Sequence, residues 1–192
     1  DAKKNNNLLS IFFKEGLISI AWIDMTTGNI KIQNIGGQNF LKDLKESILK
    51  IEPMEIIISD KIKNFRILKD SFKIFEKQIS IIPDSFYEIQ NTTITIKYLL
   101  KNENSSVKSL TNLEASAVDA LLNYLELTQK NNIPKIRSIQ KISKDQFMQI
   151  DMFTIKSLEI FERYDGNKKG SLIDTIDHTK TAGGARLLRT FL

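Results

Sequence analysis

Residues 175–192 read Thr-Ile-Asp-His-Thr-Lys-Thr-Ala-Gly-Gly-Ala-Arg-Leu-Leu-Arg-Thr-Phe-Leu, which predicts a helix end, a short turn and a new helix. Before the turn, the apolar residues Leu172, Ile173 and Ile176 are spaced for one helical face. After the turn, the hydroxyl of Thr181 is placed to accept a free backbone N–H in the first turn of the second helix. The stretch therefore predicts a capped corner between two helices.

Two glycines and a charged pair predict close packing at this corner. Gly183 and Gly184 lie in the first turn of the second helix, where glycine lowers helix propensity, so we expect another backbone to pass closely there. Asp177 lies before the turn and Arg186 lies one turn into the second helix, so the pair could clamp the turn. We interpret both charged residues as structural.

This stretch resembles the beginning of the core (lever) domain of the MutS family of DNA mismatch repair proteins. Phe191 stands where that family often has tryptophan. The resemblance implies a packing element with no catalytic part. The residues that carry the match are Asp177, Thr179, Thr181, Gly184, Arg186 and Leu188.

Composition bounds the class of protein. The chain has 192 residues, 41% of them hydrophobic, which is enough to build a core of one large or two small domains. It has no cysteine, which excludes disulfides and thiolate metal sites. No apolar run is long enough to span a membrane, so we expect no membrane partner.

The net charge of +5 is unevenly distributed. Residues 135–192 hold 11 basic and 7 acidic residues, a balance of +4. Such an excess could bind nucleic acid, but the chain is rich in lysine, isoleucine and asparagine throughout, and we favour biased composition as the explanation.

Apolar periodicity before residue 134 predicts an α/β domain. A meander of three antiparallel strands is followed by helix, strand, helix, strand and helix. The order is that of a ribonuclease H-like fold, with a mixed sheet. We interpret Asp60 as a helix cap and Thr111 with Glu114 as a capping box. The predicted strands cover 8–13, 17–24, 30–35, 55–59 and 78–82, and the predicted helices begin near 38, 60 and 112.

The same region resembles the MutS connector domain. The resemblance divides the chain into a connector domain (domain II) at 1–134 and the truncated, mainly helical beginning of the core domain (domain III) at 135–192. We interpret Asp24 as a turn residue that binds its own backbone. The matching residues are Asn6, Asn7, Ala21, Asp24, Thr27, Gly28, Leu121, Leu122, Tyr124, Thr128, Gln129, Pro134, Arg137 and Ser138.

Residues after Pro134 are predicted as extended segments around 136–142 and 145–151, a helix over 152–162 and a loop over 163–170. Ser171 is predicted to cap the next helix. Ser157 stands where the family usually has asparagine. The chain ends inside an amphipathic pattern, so we expect it to be a piece of a longer protein.

Catalytic motifs are missing from the sequence. It contains no Gly-x-x-x-x-Gly-Lys-Ser/Thr phosphate loop, and its single histidine, His178, has no second histidine near it. The rival interpretation is a ribonuclease H-like nuclease, which needs carboxylates on its strands to hold paired metals. The first predicted strand supplies none. We therefore expect no catalytic, cofactor-binding or metal site in this chain.

The resemblance implies a role within a larger protein. The whole protein would be a cytoplasmic, nucleoid-associated bacterial homodimer that uses ATP and magnesium, binds mismatched double-stranded DNA and signals to MutL. The chain would transmit between the mismatch-binding and ATPase domains, contribute to MutL docking around 88–99, and bind DNA weakly or not at all. The alternatives are the metal-dependent nuclease and a free-standing protein-interaction module.

Overall fold

A computed structural model of the chain describes residues 6–64, 68, 72–89, 110–130, 134–143 and 150–192. Residues 6–143 form one compact unit, and residues 144–192 belong to a second. Within the described ranges, no helix combines the length and apolar character that crossing a membrane requires.

The first unit is built on a mixed sheet of six strands in the order β5-β4-β1-β2-β3-β6. β1–β2 and β2–β3 pair antiparallel, whereas β1–β4, β4–β5 and β3–β6 pair parallel. The strands are β1 (Asn7–Lys14), β2 (Leu17–Asp24), β3 (Asn29–Ile35), β4 (Glu55–Ser59), β5 (Ile79–Ile82) and β6 (Ser138–Lys141).

Among its described residues, this unit has three α-helices: α1 (Phe40–Ile51), α2 (Asp60–Asn64) and α3 (Asn112–Gln129). Short 3-10 helices span Lys73–Gln78 and Asp84–Tyr87. The structure confirms the predicted antiparallel meander and the mixed sheet, in which β4 and β5 pair parallel. It also confirms the Thr111–Glu114 capping box at the start of α3.

Successive residues of the strands point to opposite faces of the sheet, and both faces are buried. Leu8 packs in the cluster that includes α3, while Leu9 and Ile11 pack in the cluster that includes α1. The α3 cluster also takes in Ala117, Leu121 and Leu125, all fully buried. α3 therefore contributes these apolar side chains to the core on one side of the sheet.

Two details of the sheet differ from the sequence prediction. The prediction that Ile30, Ile32 and Ile35 share a period of two is wrong for Ile35, because an offset of three residues places it on the α1 side of the sheet. The segment around Ile139, predicted to open the core domain, instead pairs with β3 as β6 and buries Ile139 in the α3 cluster. The first unit thus runs past the boundary predicted at Pro134, and that boundary stays a prediction.

Over residues 150–192, the second unit has three short helices: α4 (Met152–Ser157), α5 (Leu172–Ile176) and α6 (Ala182–Phe191). The prediction of a helix over 152–162 is wrong, since α4 ends at Ser157 and Glu159 has a left-handed φ of 49°. The carbonyls of Glu159 and Ile160 accept the backbone N–H groups of Leu172 and Ile173. The chain therefore turns at Glu159, and these two carbonyls accept hydrogen bonds from the first turn of α5. The predicted extended segment over 145–151 lies largely outside the described residues.

Candidate functional site

The C-terminal corner gathers the six residues of the predicted motif. One Asp177 carboxylate oxygen accepts the backbone N–H of Thr179 at 3.1 Å and its hydroxyl at 2.5 Å. The hydroxyl of Thr181 accepts the N–H of Gly184 at 3.0 Å, which confirms the predicted cap of α6. Arg186 and Leu188 follow on the same helix. Asp177 thus orders the turn locally, and its predicted ion pair with Arg186 stays a prediction.

The expectation that another backbone crosses both glycines is wrong for the described part of the chain. A Cβ added at Gly183 would meet no atom within 4 Å. At Gly184 it would lie 3.3 Å from the side chains of Thr179 and Thr181. Gly184 therefore makes room for the corner's own threonines, and the glycine pair signalled a tight turn instead of a crossing chain.

Side-chain caps and one cation–π contact hold the rest of this unit. Ser171 is fully buried and accepts the N–H of Asp174, which confirms its predicted capping role. The Arg189 guanidinium lies 4.2 Å from the centre of the Phe161 ring, so α6 is attached to the segment before the loop. The sequence carries no local signal for this contact, because the two residues are far apart along the chain.

A second close backbone approach lies at Gly28, beside the residues that precede β6. Asp24 accepts the N–H of Thr26 at 2.9 Å and the hydroxyl of Thr27 at 3.1 Å, which confirms the predicted turn role of Asp24. Gly28 has a φ of 72°, and an added Cβ there would overlap the carbonyl oxygen of Lys135. The carbonyl of Gly28 accepts the N–H of Arg137 at 2.9 Å. Glycine is needed at Gly28 because β6 enters directly against its backbone.

The middle of β1, where a ribonuclease H-like nuclease would carry a metal-binding carboxylate, holds a buried serine and stacked aromatic rings here. Ser10, in the middle of β1, is fully buried, and Phe12 stacks on Tyr87 with ring centres 5.3 Å apart. The Tyr87 hydroxyl donates to the carbonyl of Ile57 at 3.2 Å, and burial raises the pKa of this phenol. Apolar packing therefore fills the α3 side of β1.

The carboxylates beyond β4 also have structural roles. The hydroxyl of Ser59 accepts the N–H of Ile62 at 3.3 Å, so Ser59 caps α2 and the prediction that Asp60 does so is wrong. Asp84 pairs with Lys61 at 2.7 Å, and this hydrogen bond lowers the pKa of Asp84. His178 is exposed. In the described ranges, no group of three or more histidine, cysteine, aspartate or glutamate residues is arranged to hold a metal ion.

Comparison with known proteins places this geometry in a family. The family model for MutS domain II matches residues 6–137, more than half of the chain, and the model for MutS domain III matches residues 153–192. The chain belongs to the MutS family. The second match contains the whole corner motif from Asp177 to Leu188.

Curated MutS relatives align with nearly the whole chain. The DNA mismatch repair protein MutS of Wolbachia pipientis is 34% identical over 191 residues, which cover 99% of this chain and 22% of the relative. The MutS proteins of Anaplasma phagocytophilum and Acetivibrio thermocellus are 31% and 34% identical over the full chain, covering 23% and 22% of those relatives. The chain spans about a fifth of the length of these MutS proteins, and the predicted family is confirmed.

Proposed function

We propose that the chain is the connector and the beginning of the core domain of a mismatch repair protein, and that it transmits between a mismatch-binding and an ATPase domain. The observation that carries the proposal is the order of the two matches, domain II followed by domain III, in one chain. Relatives named DNA mismatch repair protein MutS align with both parts together. A segment with these two parts can relay a change between domains without doing chemistry itself.

The topology that we assign to the first unit is ribonuclease H-like. Its support is the antiparallel meander β1-β2-β3 followed by β4 and β5, which extend the sheet parallel to β1. Fold alone carries no activity, since function resides in particular side chains. Ser10 and Tyr87 occupy the face where a nuclease of this topology would present carboxylates.

The partners that we propose belong to the whole protein. They are mismatched double-stranded DNA, MutL, ATP with magnesium, and a second copy in a homodimer, in the bacterial cytoplasm at the nucleoid. The MutL-docking stretch predicted at 88–99 lies mostly outside the described residues. Its described part is Glu88 and Ile89, and Ile89 is 44% exposed. A single exposed isoleucine is ordinary on a protein surface, so the docking stretch rests on the resemblance alone.

DNA binding by the chain alone should be weak and indifferent to mispairs. The charge balance of +4 after residue 134 can release only a few counterions, so the affinity should be low and fall with salt. Fluorescence anisotropy with matched and mispaired duplexes tests this expectation. Tight binding at physiological salt, or discrimination of the mispair, would contradict it.

The experiment that tests the proposed function measures ATP hydrolysis and DNA cleavage by the purified chain, with Asp60→Asn and the surface control Glu46→Gln. We expect neither activity in any of the three proteins, while a longer protein that carries this segment and a phosphate loop should hydrolyse ATP and recognise mispairs. Cleavage that needs magnesium or manganese and is lost in Asp60→Asn, but kept in Glu46→Gln, would establish the nuclease instead.

A further inference from the structure

The carboxylate of Glu114 is the most connected buried charge among the described residues of the first unit. Only 4% of its side chain is exposed. One oxygen accepts the Asn34 amide at 2.9 Å. The other accepts the backbone N–H of Thr111 at 2.7 Å and lies 2.7 Å from the Lys141 ammonium. A single side chain of α3 thus binds the cap of its own helix, strand β3 and strand β6.

Strand geometry explains why these partners meet. Asn34 continues the face of Ile30 and Ile32, which points toward α3, and Lys141 shares the face of Ile139 on β6. Ile32 pairs with Lys141, so Asn34 follows directly along the same side of the sheet. The carboxylate therefore sits over the end of the β3–β6 ladder, beside the first turn of α3.

β6 is a short strand at this end of the sheet. It is only four residues long, with Ile139 buried and Gln140 exposed. The N–H of Ile142 donates to the carbonyl of Ile32 at 2.7 Å just beyond the strand. A short strand at the end of the described sheet order depends strongly on each such contact.

Loss of the ammonium would disturb more than β6. The Lys141 side chain is 40% exposed, but the Glu114 side chain is only 4% exposed, so without the ammonium this carboxylate would keep its charge with two neutral donors, the Asn34 amide and the Thr111 N–H. If the group turned toward solvent, the Thr111 N–H would lose its acceptor; if it took a proton, the neutral carboxyl would accept that N–H more weakly than the carboxylate does. The end of β6 and the cap of α3 are linked through the same two oxygens.

We propose that Glu114 is a latch that holds β6 on the sheet, so that β6 and the first turn of α3 open together. Opening would release residues 136–142 from the sheet. These residues would then join the unpaired segment that leads to residues 150–192, at about 3.3 Å per residue when extended. The latch is a conformational device of this chain, and it does not depend on the mismatch repair function proposed above.

Native-state amide hydrogen exchange on the 192-residue chain tests the latch with two sets of reporter amides. The strand set is Arg137 and Ile142, which donate to carbonyls of the sheet, and the helix set is Glu114 and Ala115, which donate within the cap. In Lys141→Met, both sets should exchange faster by about tenfold or more, as expected when a charged hydrogen bond is lost. Lys141→Arg should restore both.

The matched control is Lys31→Met. Lys31 lies on β3 opposite Gln140 and has no ion-pair partner among the described residues, so neither set should change. Glu114→Gln combined with Lys141→Met should accelerate the strand set by less than the product of the two single effects, because both changes break one interaction.

The latch is wrong if Lys141→Met leaves the strand set unchanged, or if the strand set accelerates while the helix set does not. The latch is also contradicted if the acceleration of strand-set exchange in the double variant equals the product of the accelerations in the two single variants. Should Lys141→Met fail to fold, Lys141→Gln measured against Lys141→Arg gives the same comparison.

Discussion

Different interactions stabilise the interior of each of the two units. The sheet unit, residues 6–143, has apolar clusters on both faces, with β-strand residues such as Leu9, Ile20 and Ile57 fully buried. Among the described residues 150–192, Ile160 and Ala185 are the buried apolar residues, and Ser171 is the buried polar one. In residues 150–192, the described contacts are side-chain caps, backbone hydrogen bonds, the Arg163–Asp165 ion pair and the contact of Arg189 with the Phe161 ring.

The difference teaches which unit can be stable by itself. Burial of apolar surface is the main favourable term in folding, and capping bonds add about 1 kcal/mol each. The second unit leaves large apolar side chains in solvent, with Phe153 81% and Phe191 76% exposed. We therefore expect the sheet unit to unfold cooperatively at high free energy and residues 150–192 to open at much lower cost.

The largest expected effect is a cavity in the sheet unit. Leu121 is fully buried in the α3 cluster, so Leu121→Ala should lower the free energy of unfolding by about 3 kcal/mol. Leu187 is 56% exposed on α6, so Leu187→Ala should stay within about 0.5 kcal/mol of the wild type. Urea unfolding followed by the fluorescence of Trp22, the single tryptophan, measures the loss in the sheet unit, and amide hydrogen exchange in α6 measures the loss in the second unit. Equal losses of unfolding free energy in the two variants would contradict the proposed difference between the units.

The next effect concerns the junction at Gly28. Gly28→Ala adds a Cβ against the Lys135 carbonyl, whereas Gly16→Ala, at a similar φ of 81°, adds one in open space. The control should cost about 1 kcal/mol for the left-handed backbone alone, and Gly28→Ala should cost at least about 1 kcal/mol more because the backbone of β6 must move. Thermal unfolding of the two variants tests this. Similar melting temperatures would mean that the approach of β6 contributes nothing.

Local signals explain how much of this molecule its sequence predicted. The turn at Asp24 and the caps at Thr111, Ser171 and Thr181 each depend on residues a few positions apart, and all were predicted correctly. Apolar periodicity also predicted the meander β1-β2-β3, and family motifs identified the MutS membership.

Errors arose where distant residues or a single backbone angle decide the structure. The sequence around Ile139 contains no local signal for pairing with β3, because the partner strand lies more than a hundred residues earlier. The end of α4 depends on the left-handed φ of Glu159, a residue that ordinarily favours helix. The Glu114–Lys141 contact was also missed, although the capping box itself was predicted.

The pH dependence of the sheet unit should carry the signature of Glu114. Its burial raises the pKa, but hydrogen bonds from Lys141, Thr111 and Asn34 outweigh burial and hold the pKa below its ordinary value of 4.5. Lys141 is the one charged group in these contacts. Because the folded-state pKa is the lower one, this stabilisation is present above pH 4.5 and is lost as the pH falls through the folded-state pKa.

Urea unfolding of the wild type and Glu114→Gln across this range tests the signature, since the other carboxylates are common to both proteins. The difference in unfolding free energy should be largest above pH 4.5 and shrink below it. A difference that stays constant with pH would show that the carboxylate is not held in its charged form.

The smallest expected effect is the loss of one cap in the second unit. Thr181→Ala removes the acceptor for the Gly184 N–H and should cost about 1 kcal/mol, confined to α6. Thr181→Ser keeps the hydroxyl and should behave as the wild type. Amide exchange at Gly184 and Ala185 measures the local loss, while unfolding followed by Trp22 should not shift. A shift in the Trp22 transition would show that the units unfold as one.

Amide hydrogen exchange on the wild-type chain, as a function of denaturant, tests the difference between the units most directly. The account predicts two opening free energies: a high one, with strong denaturant dependence, for the amides of β2 (Leu17–Asp24), and a lower one for residues 171–192. A single shared opening free energy for β2 and residues 171–192 would contradict it, because the two units would then unfold as one cooperative structure.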